Sequence, residues 1–172
     1  MTTTTALAVD DLSVRFRLPH AVVSAVSDVT LRLPAGECLA LVGESGCGKS
    51  VMIGALLGLL PGNADVAGTA TLSVGTSTMD LLTTGEDDLA NSVRGRLVGL
   101  VPQSPASHLT PVHTVGRHLT DVISALRPSR RTLARRGRKA TVERAAETAA
   151  GAVGLPPTAL RRYPHELSGG MA

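Results

Sequence analysis

The eight residues GESGCGKS, positions 43 to 50, constrain this chain more than any other stretch. They satisfy the pattern G-x-x-x-x-G-K-[ST]. In that pattern Gly43, Gly46 and Gly48 let the backbone curl so that successive N–H groups point at phosphate oxygens, Lys49 reaches the β and γ phosphates, and Ser50 ligates Mg²⁺. Such a loop needs a buried strand leading in and a helix leading out. ECLALVG, 37 to 43, is a short continuous apolar run of the kind that makes a fully buried strand, and a helix is expected from about 49 to 60. Lys49 stands out for a second reason: of 17 basic residues only it and Lys139 are lysines. Cys47, inside the loop, reads as a small filler side chain or as a thiol activated by nearby positive charge and so open to alkylation.

Around this loop the hydropathy pattern predicts further elements. LSVRFRL, 12 to 18, alternates apolar and polar residues with the period of a half-buried strand, and SDVTLRL, 27 to 33, is a second extended segment that stops at Pro34-Ala35-Gly36. Residues 61 to 80 read as a small β excursion. TTGEDDLANSVRG, 83 to 95, reads as a short helix with a Thr cap and acids in its first turn. RLVGLVPQ, 96 to 103, is predicted as another buried strand, and from 114 to about 152 the chain turns helical, stopping near Gly151 to Gly154 ahead of Pro156-Pro157. An α/β part, about 1–103, is thus expected before a helical, basic part, about 104–172.

Composition narrows the function classes. With 43% hydrophobic and 18% charged residues the chain is globular, yet Phe16 and Tyr163 are its whole aromatic complement. That argues against single-stranded nucleic acid, whose partners stack bases on several rings. Arg127, Arg130, Arg131, Arg135, Arg136, Arg138, Lys139 and Arg144 crowd one span, read as a solvated helix face in preference to a nucleic-acid or lipid contact. Cys38 and Cys47 form no CxxC pair and imply a reducing compartment. No signal peptide is legible at the N-terminus, and the longest apolar run, 51 to 61, is too short to span a bilayer. A soluble or peripheral chain is expected. The absence of any Asn-Lys-x-Asp motif argues against guanine specificity. His165-Glu166 lacks the second His of a zinc helix, and His108, His113 and His118, five apart, scatter around a helix; all read as surface histidines.

Three features in order carry a resemblance: the loop LVGESGCGKS, a strand ending in Gln103 followed by SPASHLTPVHTVGRHL, and the ending YPHELSGGM. Together they resemble the ATP-binding subunit of ABC transporters, through nearly the whole chain, and look most like the branch that imports oligopeptides, dipeptides, nickel and opines. The resemblance implies an α/β P-loop NTPase core (RecA-like) with an antiparallel β subdomain and a helical subdomain, incomplete at the C-terminus. It implies ATP and Mg²⁺, with Ser45 to Val51 wrapping the phosphates and Gln103 sensing Mg²⁺ and the attacking water. Residues 104 to 112 would lie near the surface that receives the permease. Phe16 would stack on adenine or serve as a strand core residue. Leu167, Ser168, Gly169 and Gly170, followed by Met171 where Gln is commoner, would contact the γ-phosphate held by a second ATP-binding subunit.

The same resemblance implies partners: integral-membrane permease subunits, a second ATPase identical or paralogous, and indirectly an extracytoplasmic solute-binding protein, with the chain peripheral on the cytoplasmic face. The family continues past the signature into a helix, a hydrophobic strand ending in Asp-Glu and a His-bearing loop. ALAVDD, 6 to 11, has that look but precedes the phosphate loop and fits the family's first strand. Without the later strands, the strand before the phosphate loop is expected to lose neighbours and leave an apolar edge exposed. The chain is then expected to be a poor ATPase by itself. Two other readings stand beside the importer: a truncated, hydrolysis-incompetent nucleotide-binding protein, and a soluble ABC ATPase acting on DNA.

Overall fold

The computed structural model describes residues 4–126 and 135–168. The chain divides into two compact units, residues 1–98 and 99–172. The first is built on a four-stranded antiparallel sheet of spatial order β2-β1-β3-β4, where β1 is Thr5–Leu18, β2 Ala21–Pro34, β3 Ala64–Val74 and β4 Ser77–Asp80. The segments 6 to 11 and 12 to 18 are therefore one strand. It bends where the register shifts beside Asp11, which has φ 50°, and β2 bends opposite at Asp28, also φ 50°. Serine and threonine hydroxyls replace the ladder there: the Asp28 N–H donates to Ser13 Oγ at 3.0 Å, and the Asp11 N–H to Thr30 Oγ1 at 3.1 Å.

The helix after the phosphate loop, α1, runs Lys49–Leu56 and is shorter than the expected 49 to 60. Gly58 ends it: the Gly58 N–H bonds to the Ala55 carbonyl at 3.1 Å and the Leu59 N–H to the Gly54 carbonyl at 2.8 Å, closing the last turn. Met52, Ala55 and Leu56 of α1 pack with Val9, Leu12, Val14, Val26, Ala70 and Leu72 of the sheet, and with Leu81, Leu89 and Val93, in one aliphatic core. After β4 the chain forms a short helix α2, Glu86–Asp88, continuing as a wider π turn over Leu89–Val93. The acids stand in its first turn as expected, but no threonine caps it. Gly85 occupies the cap position, and the Thr84 hydroxyl donates backward to the Asp80 carbonyl at 2.6 Å.

The two expected buried strands are the main correction. Residues 37–43 and 96–103 join no ladder among the described residues, whose one parallel pairing is an isolated bridge between Arg94 and Val98. Leu39, Leu41 and Val42 are exposed by 48%, 44% and 91%, and Val101 by 86%. A continuous apolar run becomes a buried parallel strand only when other strands flank it and helices cover both faces. No described strand flanks either run. The exposed apolar stretch anticipated beside the phosphate loop is present, although the strand is not.

In the second unit a short helix α3, Pro105–His108, precedes α4, Val115–Leu126, and α5, Arg135–Ala152. Val142, Ala146 and Ala150, four residues apart on α5, form the buried ridge that packs with α4 and with a 3₁₀ turn at Pro157–Arg161 carrying the buried Ala159. Gly154, at φ 75°, stops α5 where expected: its N–H bonds to the Gly151 carbonyl at 3.0 Å, and the Leu155 N–H to the Ala150 carbonyl at 2.9 Å. Of the basic span, Arg127, Arg130 and Arg131 lie outside the described residues, as do the side chains of Arg135, Arg136 and Arg138. Lys139 and Arg144 are exposed, and Lys139 stands 3.8 Å from Glu143 one turn on.

Candidate functional site

The phosphate loop is held in the first unit between the exposed run ending at Gly43 and the first turn of α1. Gly46 and Gly48 have φ of 83° and 94°, conformations that side-chain-bearing residues rarely adopt. Gly48 is also pinned sterically: a Cβ there would sit 2.4 Å from the Ala25 carbonyl oxygen of β2. The loop therefore lies directly against the sheet.

Gly48 caps α1 without a side chain, and α1 has no acid in its first turn. The first bond closed at this end runs from the Met52 N–H to the Gly48 carbonyl at 2.9 Å. The N–H groups of Lys49, Ser50 and Val51 thus have no acceptor within the helix, and the positive end of its dipole is uncompensated. An anion is the natural complement of such an end.

Lys49 folds back over this cradle. Its ammonium donates to the carbonyls of Gly43 at 2.8 Å and Glu44 at 2.6 Å, and approaches Cys47 Sγ at 3.2 Å. Every one of these partners belongs to the loop, and no carboxylate pairs with Lys49 among the described residues. A phosphate would replace neutral carbonyls without breaking an ion pair. The ammonium's hydrogen bond to Cys47 lowers that exposed thiol below the ordinary cysteine range. The direction of that shift is the one expected of a thiol beside a positive charge. A hollow of about 170 Å³ lies beside the loop, lined by Val26, Val29, Leu41, Val42, Cys47, Gly48, Lys49 and Met52. Its lining is mostly aliphatic, with Cys47 and Lys49 as the polar exceptions.

These residues fit a phosphate chain with its Mg²⁺: a cradle that a Cβ would fill, unpaired N–H groups, one ammonium free of carboxylates, and the Ser50 hydroxyl on the exposed first turn. Phe16 is half-buried and packs against the sheet core, cross-strand from Val23 and Ala64. Gln103 lies in the second unit, exposed, in an irregular stretch instead of at the end of a strand. Leu167 is half-buried and Ser168 exposed after a 3₁₀ turn, Pro164–Glu166, whose cap is closed by the Tyr163 N–H donating to Glu166 Oε2 at 2.7 Å. Gly169, Gly170 and Met171 lie outside the described residues. Among the described residues no group of His, Cys, Asp and Glu side chains gathers as a metal site.

Sequence reasoning passed over Arg94. Its guanidinium holds the C-terminal end of α1, donating to the Leu57 carbonyl at 2.7 Å and the Gly58 carbonyl at 3.0 Å, while a fork of 2.6 and 2.8 Å grips Glu86. That fork depresses the Glu86 carboxyl and raises Arg94 further above its already high value. A partner eight residues away, reached across a π turn, leaves no periodic signal in sequence.

A sheet, a glycine-rich phosphate cradle and a helix leaving it define a nucleotide-binding chain of the P-loop class. The fold matches the ATP-binding cassette MJ0796 in a dimeric, post-hydrolysis state bound to ADP and Pi. The TM-score is 0.76 at 19% identity, covering 96% of this chain and 64% of that one. Residues 26–172 match the family model described as ABC transporter, and the chain belongs to that family. It is 42% identical over 166 residues to an oligopeptide transport ATP-binding protein, OppD, of Mycobacterium tuberculosis. It is 36% identical over 167 residues to the OppD of Escherichia coli. The matched stretch covers 95–96% of this chain but 25% and 46% of those proteins, so the chain spans about a quarter to a half of the length of these relatives.

Proposed function

We propose that this chain is the ATP-binding part of an ABC importer, coupling ATP binding and hydrolysis to the uptake of peptides, nickel or related small solutes across a membrane. The observation that carries the reading is the phosphate loop: unpaired N–H groups on the first turn of α1 and a lysine held only by loop carbonyls. Likeness to oligopeptide transport ATP-binding proteins supports the peptide class of cargo.

On ATP binding, Lys49 leaves the Gly43 and Glu44 carbonyls for the β and γ phosphates, and Gly43 and the residues from Ser45 to Val51 wrap them. Phe16 offers its exposed face to adenine. Ser50 and Gln103 are the Mg²⁺ candidates; the metal, when bound, neutralises phosphate charge and orients the γ-phosphate. Gln103 also orients the attacking water. Leu167 to Gly170 serve the nucleotide of a second ATP-binding subunit, a pairing supported by the dimeric state of the matching cassette. Permease subunits receive the stroke, with a solute-binding protein acting on their far side. Among the described residues no helix is long and apolar enough to cross a membrane. A peripheral position on the cytoplasmic face belongs to the same proposal and is supported by membership of the ABC transporter family.

A second reading, nucleotide binding without hydrolysis, is favoured by the two apolar runs, 37–43 and 96–103, that stand outside any ladder. Uptake of labelled oligopeptide by cells whose only copy of the protein carries Lys49→Ala tests the first reading. Uptake should fall to background; undiminished uptake overturns it. ATP binding that is intact while permease-stimulated hydrolysis is absent would instead establish the second.

A further inference from the structure

His108 and His118 are more than surface decoration. The Ser104 carbonyl, one residue beyond Gln103, accepts from the Ser107 hydroxyl at 2.7 Å and from His108 Nδ1 at 2.9 Å, with the Ser107 N–H at 3.2 Å. Six residues on, the Thr110 carbonyl accepts from the His113 N–H at 3.1 Å and from His118 Nε2 at 3.0 Å. A carbonyl only accepts, so each contact is a hydrogen bond in the tautomer that places the hydrogen on His108 Nδ1 and on His118 Nε2; the Ser107 hydroxyl, 3.3 Å from His108 Nδ1, is the other group within reach of that nitrogen. His118 itself is fixed on the first turn of α4, which is anchored by the Thr114 hydroxyl accepting from the Arg117 N–H at 3.3 Å and by the Val115 N–H donating to the Arg162 carbonyl at 2.9 Å. The His113 ring leans on His118 with centroids 5.8 Å apart. Between the two clamped carbonyls the chain carries α3, and just beyond Thr110 it presents Val112, 73% exposed.

We propose that His108 and His118 are positioning residues that clamp the Ser104 and Thr110 carbonyls, fixing the segment after Gln103 in one shape so that nucleotide state and permease contact are coupled. Here the importer reading supplies the role, whereas the clamps themselves rest on the geometry alone. An unclamped segment would spend part of its time in other conformations and transmit less of the stroke, with nucleotide binding at the Lys49 loop untouched.

Asn places its amide nitrogen near the position of Nδ1, and Gln near that of Nε2. His108→Asn and His118→Gln therefore keep the donor, and His108→Leu and His118→Leu remove it. Hydrogen exchange of the Ser107 and His113 amides, read by NMR on this chain, should quicken about 2- to 10-fold in the corresponding Leu variant, the factor expected for one lost hydrogen bond. In the assembled transporter the Leu variants should lower permease-stimulated ATP turnover with the KM for ATP unchanged, and the Asn and Gln variants should restore both readouts. Unchanged exchange in the Leu variants, or Asn and Gln variants that behave like Leu, would overturn the clamps. Exchange that responds while turnover does not would overturn the coupling role. Failure of the importer reading shows separately, as peptide uptake indifferent to Lys49→Ala.

Discussion

Two alanine substitutions, Gly46→Ala and Gly48→Ala, separate backbone strain from steric conflict in the phosphate loop. Both glycines hold positive φ, 83° and 94°, so each alanine forces an L-residue into the left-handed region at about 1–2 kcal/mol. At Gly46 nothing lies within 4 Å of the added Cβ, and that strain is the whole cost. At Gly48 the Cβ meets the Ala25 carbonyl oxygen at 2.4 Å and Val26 Cγ2 at 3.3 Å. Ala25 is the unpaired residue at a register shift, flanked by Ser24 opposite Arg15 and by Val26 opposite the fully buried Val14. It cannot recede without pulling both pairs, which adds about 1–3 kcal/mol of overpacking. Gly48→Ala should therefore destabilise by about 2–5 kcal/mol against about 1–2 for Gly46→Ala, out of a total of about 5–15 for a typical domain. Urea titration followed by circular dichroism, without nucleotide, measures both. Equal losses in the two variants would refute the claim that the loop is pressed against β2.

Arg94→Ala should destabilise the chain by about 1–3 kcal/mol, because the α1 carbonyls of Leu57 and Gly58 lose a charged donor, and Arg94→Lys, lacking the fork, should recover only part in thermal melts. Glu86, whose carboxyl is held low by Arg94, contributes stability that is complete above its unfolded value and is lost as pH falls through its depressed folded one. The stability gap between the native chain and Glu86→Gln should consequently close in acid, below about pH 4; a gap that is constant across an acid titration would contradict the pairing. Cys47, lowered by Lys49, should take iodoacetamide faster than Cys38 at neutral pH, as followed by peptide mass spectrometry. ATP should slow that reaction by drawing the ammonium away, and a Cys47 rate equal to that of Cys38 would mean that the 3.2 Å contact has no chemical effect.

The phosphate loop was legible because its chemistry is local: Gly46, Gly48 and Lys49 act through backbone angles and through carbonyls within six residues. The extended segments 12 to 18 and 27 to 33 and the stop of α5 near Gly154 were legible for the same reason, resting on local alternation and turn residues, whereas the pairing of the strands was not. Residues 37–43 misled because an apolar run reports only a wish to be buried, and whether it becomes a strand depends on neighbours distant in the chain. Arg94 escaped notice, and His118 was read only as a surface histidine, because each reaches backbone carbonyls and a carbonyl has the same identity at every position. His108, His113 and His118 were pictured around one helix, yet they fall on α3, on a turn and on α4.

The most direct test of the account is the affinity of this chain for Mg-ATP, measured by titration calorimetry beside Lys49→Ala. Saturable binding that weakens at least about tenfold in the variant, the loss of roughly one charged hydrogen bond to phosphate, is the predicted result. No binding, or binding indifferent to Lys49, would contradict the assignment of residues 43 to 51 as the nucleotide site.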